Sequence, residues 1–453
     1  MIFDPTKGDI QLIQSDARRL PLEDESVQCI VTSPPYWGLR KYAGEQESAW
    51  GGDNGHMHAW GGQIPPRGKS NWNTFFKDDG ESQMKSDESL HESLPTSHGS
   101  HCDCGAWRGA YGLEPTIEMY VAHTVEILRE LRRVLRPDGV LFWNIGDSYA
   151  TCRGNTYGKP GRDNLAAPVV IGHSKIVDGL KSKDLCLIPA RVAIAAQQDG
   201  WWIRSMIIWA KPNPMPESCT DRPTDAYEHI LMLTKSERYF WDADAVREPG
   251  AEPDRVRADV FGGNKGDVVN HSHGSLSMGH ATRNLRNVWT FPTQPFSGAH
   301  FATFPEEIPR RCILAATSAR GACTQCGASW DRVTDRHVEF ESGSGRAGNP
   351  PAGKNGADYE QAQSGDYDIR MGPVIDSKTI GWRPTCECRG QHGKTRPCLV
   401  LDPFAGSGTT GRVARALRRH AVLADVAYGE QDEYRKLALA RLRNVDVELP
   451  FLD

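Results

Sequence analysis

The sequence predicts an α/β protein built on a doubly wound, mostly parallel sheet, and two observations support this prediction. Short apolar segments alternate with segments of helical periodicity along much of the 453-residue chain. Such alternation is typical of parallel sheets, because a crossover helix must return the chain before the next parallel strand can begin. One buried strand also runs into a glycine-rich turn and a helix at residues 399–411, a connection typical of this architecture.

The individual elements follow from periodicity and from the residues at their ends. Apolar residues at helical spacing from Val121 to Leu135 predict a helix that Thr116 opens and Pro137-Asp138-Gly139 closes. In chain order, the prediction is strands at 10–13 and 27–31, a helix over 116–135, a strand at 140–143, a helix over 189–198, strands at 203–209 and 229–233, a helix over 305–316, and a β-α-β-α stretch over 399–442.

Composition and charge limit the class of protein. Hydrophobic residues make up 38% of the chain and charged residues 25%, and no apolar run approaches the roughly 20 residues that span a membrane. The first residues do not resemble a signal peptide, so the sequence predicts a cytoplasmic protein with no membrane partner. The net charge of -5 gives no global basic field, so contact with nucleic acid would have to rest on a local patch.

The glycine-rich turn carries the first candidate site. Gly406 and Gly408 allow the backbone to approach a ligand, and the helix that follows offers unpaired N–H groups at its N-terminus. A turn of this kind also occurs without a ligand. About twenty residues further on, Asp425 ends the next apolar strand, where a carboxylate can accept hydrogen bonds from ribose hydroxyls. The two features together favour a cofactor site.

A second motif, Ser33-Pro34-Pro35-Tyr36, directly follows the strand at 27–31. Prolines after a strand often only end it, but the order of the motifs along the chain is more informative. The chain resembles the amino-methyltransferases of DNA, specifically the permuted class with Ser/Asp-Pro-Pro-Tyr near the N-terminus and Phe-x-Gly-x-Gly near the C-terminus. Here these motifs occupy residues 33–36 and 404–408.

The resemblance implies a Rossmann-like fold of the S-adenosylmethionine-dependent methyltransferase type, with S-adenosylmethionine as cofactor and double-stranded DNA as substrate. Blocks at 135–148, 208–213 and 227–229 also match the family, without a role assigned to their residues. Asp425 departs from the pattern, in which Glu is commoner. The expected cofactor-binding residues are Asp16, Thr303, Asp402, Phe404, Gly406, Gly408 and Asp425.

The resemblance also assigns the catalytic residues as Ser33, Pro34, Pro35 and Tyr36. An exocyclic amine is a poor nucleophile, so acceptance of its N–H bonds by Ser33 Oγ and the Pro34 carbonyl should direct its lone pair to the sulfonium methyl. The base must be flipped out of the duplex, and Tyr36 is expected to stack on it. Ser at position 33 is commoner in enzymes that act on cytosine N4, and Asp in those that act on adenine N6, so cytosine N4 is favoured.

These assignments divide the chain. The prediction is a catalytic half at 1–41 and 113–246, a His/Cys/Trp-rich insertion at 42–112, a target-recognition segment at 247–299, a cofactor-binding half at 300–320 and 398–453, and a Cys-rich zinc insertion at 321–397. Both insertions are expected to be irregular. Within the recognition segment, Arg283 and Arg286 are the favoured pair for DNA contact.

Two clusters among the twelve cysteines suggest structural zinc knuckles. Cys323, Cys326, Cys386 and Cys388 offer four thiolates in two short-spaced pairs, the alternative being free surface thiols. His56 and His58 with Cys102 and Cys104 form a weaker set, because His98 and His101 compete as ligands and the stretch could instead be solvated.

Three classes of function stay open on the sequence alone. The first is a DNA amino-methyltransferase, with or without a restriction endonuclease as partner. The second is a methyltransferase that acts on RNA bases or glutamine amides through a similar Pro-Pro-Tyr loop. The third is a non-catalytic, zinc-bearing protein that has kept the fold. A methyl-transfer assay on DNA, RNA and protein separates them.

Overall fold

The computed structural model describes residues 9–38, 47–52, 55, 57–60, 100–150, 179–249, 282–294, 304–339, 374–388, 394–429, 432–443 and 445, with the backbone alone at 336–339 and 374–377. Its strands are β1 (Ile10–Gln14), β2 (Val27–Thr32), β3 (Glu47–Trp50), β4 (Ser100–His101), β5 (Trp107–Ala110), β6 (Leu135–Ile145), β7 (Trp202–Ala210), β8 (Tyr227–Thr234), β9 (Glu248–Pro249), β10 (Thr282–Arg283), β11 (Val288–Thr290), β12 (Ala322–Cys323), β13 (Trp330–Glu339), β14 (Val374–Pro384), β15 (Thr395–Arg396), β16 (Leu399–Asp402) and β17 (His420–Asp425). Its helices are α1 (Ile117–Val134), α2 (Ile188–Gln198), α3 (Glu307–Ala316), α4 (Thr409–Ala416) and α5 (Glu433–Arg443).

An eight-stranded sheet forms the centre of the fold, with the order β1-β17-β16-β2-β6-β8-β7-β11. Its neighbouring pairs are parallel except for the two that β8 makes with β6 and β7. The prediction of a mostly parallel α/β sheet is therefore confirmed. Because β2 and β16 are parallel neighbours, residues 33–36 and the glycine-rich turn both leave the sheet at its carboxyl edge.

The core explains why these segments become strands and helices. All six residues of β2 are buried, as are the last seven of β6, because helices cover the sheet and leave its central strands little solvent. Helix α1 packs residues such as Tyr120, Ile127 and Leu131 against the core. Its N-cap is Thr116, whose side chain accepts a hydrogen bond from the Met119 N–H at 3.2 Å, as the sequence predicts.

The helix-to-strand boundary differs from the prediction. Helix α1 ends at Val134, and β6 begins at Leu135, so the Pro137-Asp138-Gly139 segment lies within the strand. The cause is local. Arg136 precedes Pro137, and the residue before a proline disfavours helical geometry. Leu135 in turn pairs with Val27 of β2 and so belongs to the strand.

The two insertions contain more regular structure than the sequence indicates. Strands β3, β5 and β4 form a small antiparallel sheet, and β13 pairs with β14 in a long hairpin. The prediction of irregular insertions is wrong for these strands. The strands of the small sheet are too short to show the alternation of apolar and polar residues that marks a strand. The two strands of the hairpin carry polar residues on both faces, so they show no such alternation either.

The chain divides into two compact units. The first falls within residues 1–239, 288–313 and 399–447, and it contains the eight-stranded sheet. The second falls within 240–287, 314–398 and 448–453, and it contains the β13–β14 hairpin. Residues 247–249 and 282–287 of the predicted recognition segment thus share a unit with the described part of the Cys-rich insertion. Within the described ranges, no helix has both the length and the apolar character that a bilayer crossing requires.

Candidate active site

A cavity of about 340 Å³ lies in the first unit, at the carboxyl edge of the parallel strands. Ser33, Pro35 and Tyr36 line one part of it, and the glycine-rich turn lines another. The structure thus brings together two motifs that stand at opposite ends of the sequence. The predicted residues that line this cavity are Asp16, Ser33, Pro35, Tyr36, Phe404, Gly406 and Asp425.

Other predicted residues have a different placement. Pro34, Asp402 and Gly408 are not among the residues that line the cavity. Pro34 is buried, and the carbonyl of the next residue, Pro35, accepts a hydrogen bond from the Tyr120 hydroxyl at 3.0 Å. Thr303 and His56 lie outside the described residues, so their predicted roles stay predictions.

The Tyr36 hydroxyl is the centre of a polar network at the cavity. It donates to Glu228 Oε2 at 2.6 Å and accepts from Asn144 Nδ2 at 2.8 Å. Ser33 Oγ donates to the same hydroxyl oxygen at 3.2 Å. With its proton directed to Tyr36, the Ser33 oxygen has two lone pairs; Asn144 Nδ2 donates to this oxygen at 3.5 Å, which leaves one lone pair as an acceptor for a ligand N–H.

One further residue, Lys211, completes this network. Lys211 Nζ forms an ion pair with Glu228 Oε1 at 2.5 Å, and Asn144 Nδ2 donates to Glu228 Oε2 at 3.0 Å. Both carboxylate oxygens are therefore engaged, and the carboxylate holds the Tyr36 ring in one orientation. The sequence alone indicates no role for Asn144, Lys211 or Glu228, although the blocks that match the family contain all three.

The glycine-rich turn is held by backbone and carboxylate contacts. The Gly406 N–H donates to Asp425 Oδ2 at 2.9 Å, and the Gly406 carbonyl accepts from the Tyr428 hydroxyl at 2.7 Å. Gly406 has a φ of +46°, and a side chain added there would meet nothing within 4 Å. The turn therefore presents open backbone to the cavity, as the sequence predicts.

Gly408 allows helices α4 and α5 to pack closely, a role distinct from the close approach to a ligand that the sequence predicts. It is the N-cap of α4 with a φ of +78°, and an added Cβ would lie 3.2 Å from the Ala438 Cβ. Its lack of a side chain therefore permits the left-handed turn and the packing of α4 against α5. The expectation that Gly408 also approaches the cofactor stays a prediction.

Asp402 is buried next to the glycine-rich turn and does not line the cavity. Its carboxylate accepts from Thr32 Oγ1 and Thr410 Oγ1, both at 2.7 Å, and from the Phe404 N–H at 3.1 Å. Burial raises the pKa of Asp402 to about 6, although these hydrogen bonds act to lower it. The side chain ties the end of β2 to the start of α4.

Aromatic side chains form a second wall of the cavity. Trp50 and Tyr111 stack with their ring centroids 5.6 Å apart, and Tyr111 stacks in turn on Phe404 at 5.8 Å. Arg18 lies over the Trp50 ring at 3.8 Å and binds the Asp16 carboxylate. Burial acts to raise the pKa of Asp16, but the contacts with Arg18 outweigh it, so the net pKa is lowered.

The structure also gathers all four residues of one predicted metal cluster and three of the four residues of the other. The ligand atoms of Cys323, Cys326, Cys386 and Cys388 all lie within 4.8 Å of one another, in the second unit. His58, Cys102 and Cys104 form a similar group in the first unit. Sulfur and imidazole ligands at this spacing suit a tetrahedral zinc ion.

The two predicted DNA-binding arginines lie near each other in the second unit. Arg283 and Arg286 both donate through Nε to Glu248 Oε2, at 3.2 and 2.8 Å. The shared carboxylate offsets part of their charge, and it holds the two guanidinium groups on one side of the β9–β10 pair.

The fold and the site together define the class of protein. It is an α/β protein with its ligand cavity at the carboxyl edge of parallel strands, where a glycine-rich turn faces a Ser-Pro-Pro-Tyr loop. The sequence model of the family described as DNA methylase matches residues 27–324 and 397–436. The chain belongs to this family, the N6/N4 methyltransferases of DNA.

Individual relatives agree with this membership. The type II methyltransferase M.Cfr9I of Citrobacter freundii is 37% identical over 310 residues, which cover 68% of this chain and 72% of the relative. The type II methyltransferase M.SmaI of Serratia marcescens is 31% identical over 329 residues, which cover 71% and 82%. Among solved structures, the cytosine-N4-specific PvuII DNA methyltransferase has a TM-score of 0.41 at 14% identity, covering 96% of this chain and 92% of its own.

Proposed function

We propose that the protein transfers a methyl group from S-adenosylmethionine to the exocyclic amine of a flipped base in duplex DNA, with cytosine N4 as the target. One observation carries the proposal. The Ser33–Tyr36 loop and the glycine-rich turn line the same cavity, so a cofactor and a base bound there would meet. A volume near 340 Å³ falls within the range of small-molecule sites.

The residues around the glycine-rich turn suit the proposed cofactor. Asp425 is expected to accept hydrogen bonds from the ribose, Gly406 to give its backbone room, and Phe404 and Asp16 to contact the adenine. The carboxylate oxygens of Asp425 each accept one backbone N–H, from Gly406 and Ala427, which fixes the side chain and leaves further lone pairs. When bound, the cofactor supplies a sulfonium methyl group for transfer.

The residues of the Ser33–Tyr36 loop orient the base. Ser33 Oγ and the Pro34 carbonyl are proposed to accept the two N–H bonds of the amine, which directs the nitrogen lone pair towards the methyl group. The anchored hydroxyl leaves the Tyr36 ring as a fixed surface for stacking, worth about 1–3 kcal/mol per base. No covalent intermediate with the protein is needed, because the amine nitrogen would bond to the methyl carbon as the carbon–sulfur bond breaks, with S-adenosylhomocysteine as the leaving group and one amine proton released to solvent.

Mass spectrometry of the methylated product tests the proposal and the choice of base. We expect duplex DNA incubated with the protein and S-adenosylmethionine to yield N4-methyldeoxycytidine after digestion to nucleosides. Ser33 in place of Asp supports cytosine, on the resemblance described above. If N6-methyldeoxyadenosine were the only methylated nucleoside, the target would be adenine N6 instead of cytosine N4. If a labelled methyl group were transferred to RNA or protein but not to DNA, the proposal of a DNA substrate would be wrong.

DNA contact is proposed to involve the second unit, with Arg283 and Arg286 against phosphate or guanine. Their common partner Glu248 limits the rotamers of both side chains, and a fixed guanidinium group loses less entropy on binding. Burial acts to raise the pKa of Glu248, but both arginines outweigh it and lower the pKa, so the carboxylate stays charged.

We also propose a structural zinc ion at Cys323, Cys326, Cys386 and Cys388. Four thiolates fill a tetrahedral shell and leave no open position for a substrate. Cys323→Ser is expected to remove one zinc ion per chain by elemental analysis and to lower the melting temperature, because the unit is small for a core of its own. An unchanged zinc content together with an unchanged melting temperature would contradict this assignment.

A further inference from the structure

The His58–Cys102–Cys104 cluster lies beside the small β3-β5-β4 sheet. Cys104 Sγ is 3.3 Å from His58 Nδ1, and the ligand atoms of all three residues lie within 4.8 Å of one another. A tight turn presents the two thiols, because the Cys102 N–H donates to the Ala106 carbonyl and the Gly105 N–H to the Cys102 carbonyl, both at 2.9 Å. Gly105 has a φ of +85°, which a side chain would strain.

We propose that His58, Cys102 and Cys104 bind one zinc ion, and that this ion holds the aromatic wall of the cavity in place. Two sulfurs and one imidazole favour zinc over calcium or magnesium, which prefer oxygen. Three ligands leave one tetrahedral position, for water or a further side chain. The second part of the proposal rests on the proposed function, because it concerns binding of S-adenosylmethionine in that cavity.

The first step from the ion to the cavity is the small sheet itself. Cys102 and Cys104 lie in the turn between β4 and β5, and His58 follows β3. A Cβ added at Gly52 would lie 3.0 Å from Cys104 Sγ, so the chain leaving β3 packs directly on the cluster. A metal ion there would therefore link the segment after β3 to the β4–β5 turn.

The second step leads from the sheet to Trp50. This residue ends β3, pairs with Trp107 of β5, and donates through its indole N–H to the Gly109 carbonyl at 3.2 Å. Its ring stacks on His123 with centroids 4.4 Å apart. Trp50 also lines the cavity, so a shift of β3 against β5 would move part of the cavity wall.

The last step leads from Trp50 to a predicted cofactor contact. Arg18 covers the Trp50 ring, donates to the Ala49 carbonyl at 2.7 Å, and grips Asp16 through Nε and Nη2. Asp16 lines the cavity and is expected to contact the adenine. The proposed ion is thus linked to the cofactor site through the chain and strand pairing of the small sheet, then through the Arg18–Trp50 contact, and last through the hydrogen bonds from Arg18 to Asp16.

The small sheet is too short to be stable by itself, so an additional interaction is expected to stabilise it. Its strands have four, two and four residues, which is less than a sheet usually needs for independent stability. His58 and Cys102 are separated by 44 positions in the sequence. A metal ion that joins His58 to Cys102 and Cys104 closes that long connection, and it stabilises only the folded state.

A pair of substitutions at His58 tests the proposal. His58→Phe removes the ligand but keeps a ring against Trp60, whose centroid lies 4.9 Å away, whereas His58→Cys supplies a new zinc ligand. We expect His58→Phe to contain one zinc ion fewer per chain and to bind S-adenosylmethionine about tenfold more weakly by calorimetry. His58→Cys should restore both values.

Cys326→Ser is the matched control, since it should remove the zinc ion of the other cluster without changing cofactor affinity. His58→Phe that keeps its zinc would overturn the metal site. Loss of that zinc with unchanged cofactor affinity would overturn the link to the cavity and leave the proposed function standing. If the unmodified protein fails to bind S-adenosylmethionine, the proposed function fails, while zinc content still tests the site.

Discussion

Ser33→Ala is expected to lower kcat for DNA methylation by about a hundredfold, while the affinity for S-adenosylmethionine changes less than twofold. The serine oxygen is proposed to accept an N–H of the target amine, and loss of one such bond in a preorganised site costs about 10²–10³ in rate. Ser33 Oγ also donates to the Tyr36 hydroxyl at 3.2 Å, but that hydroxyl keeps Glu228 and Asn144 as partners. Single-turnover kinetics and calorimetry measure the two quantities.

Tyr36→Phe provides the matched control for Ser33→Ala. It removes the hydroxyl and its bond to Glu228 but keeps the ring that lines the cavity. We expect a smaller decrease in kcat, about tenfold, because the stacking surface persists with a less fixed orientation. A Ser33→Ala protein with full activity would remove Ser33 from the mechanism, and an equal loss of cofactor affinity would place it in the cofactor site instead.

Gly406→Val is expected to weaken binding of S-adenosylmethionine at least a hundredfold. The open space beside Gly406 belongs to the cavity that the turn lines, so a valine there would project its methyl groups into the proposed cofactor volume. A β-branched residue at a φ of +46° also adds backbone strain of about 1–3 kcal/mol. Calorimetric titration with the cofactor measures the loss.

Gly179→Val separates strain from obstruction. Gly179 has a φ of +89° and likewise no atom within 4 Å of an added Cβ, but it is not among the residues that line the cavity. The variant should therefore lose stability and keep its cofactor affinity. If Gly406→Val bound S-adenosylmethionine as tightly as the unmodified protein, the glycine-rich turn would not be the cofactor site.

The sequence shows that residues 33–36 and the glycine-rich turn each follow a short, apolar segment typical of a buried strand, and the resemblance to the DNA amino-methyltransferases implies that they share one site. Carboxyl ends of neighbouring parallel strands share one edge of a sheet, so the adjacency of β2 and β16 suffices to bring the motifs together. The grouping of the cysteine and histidine ligands was predictable from their spacing in the sequence. These ligands stand in pairs with one or two residues between them, a spacing that few other structures require.

Other features depend on contacts that no local pattern encodes. Asn144 lies in β6, Glu228 lies in β8, and Lys211 directly follows β7, so only the register of these three strands brings the residues together beside the Tyr36 hydroxyl. Asp402 resembles a cofactor contact in the sequence, because it sits at the end of a strand. Its carboxylate nonetheless turns towards Thr32 and Thr410, since a buried acid needs hydrogen-bond donors.

The adjacency of β2 and β16 also sets the timing of folding during synthesis. Thr32 and Asp402, which join these strands through a hydrogen bond, are 370 residues apart in the sequence. At a translation rate of about 5–20 residues per second, β16 is synthesised roughly 20 to 70 s after β2, the strand with which it pairs. Until then the Ser33–Tyr36 loop faces no glycine-rich turn, so the nascent chain has no assembled cavity. The cavity can form only after the segment of β16 and the glycine-rich turn has been synthesised.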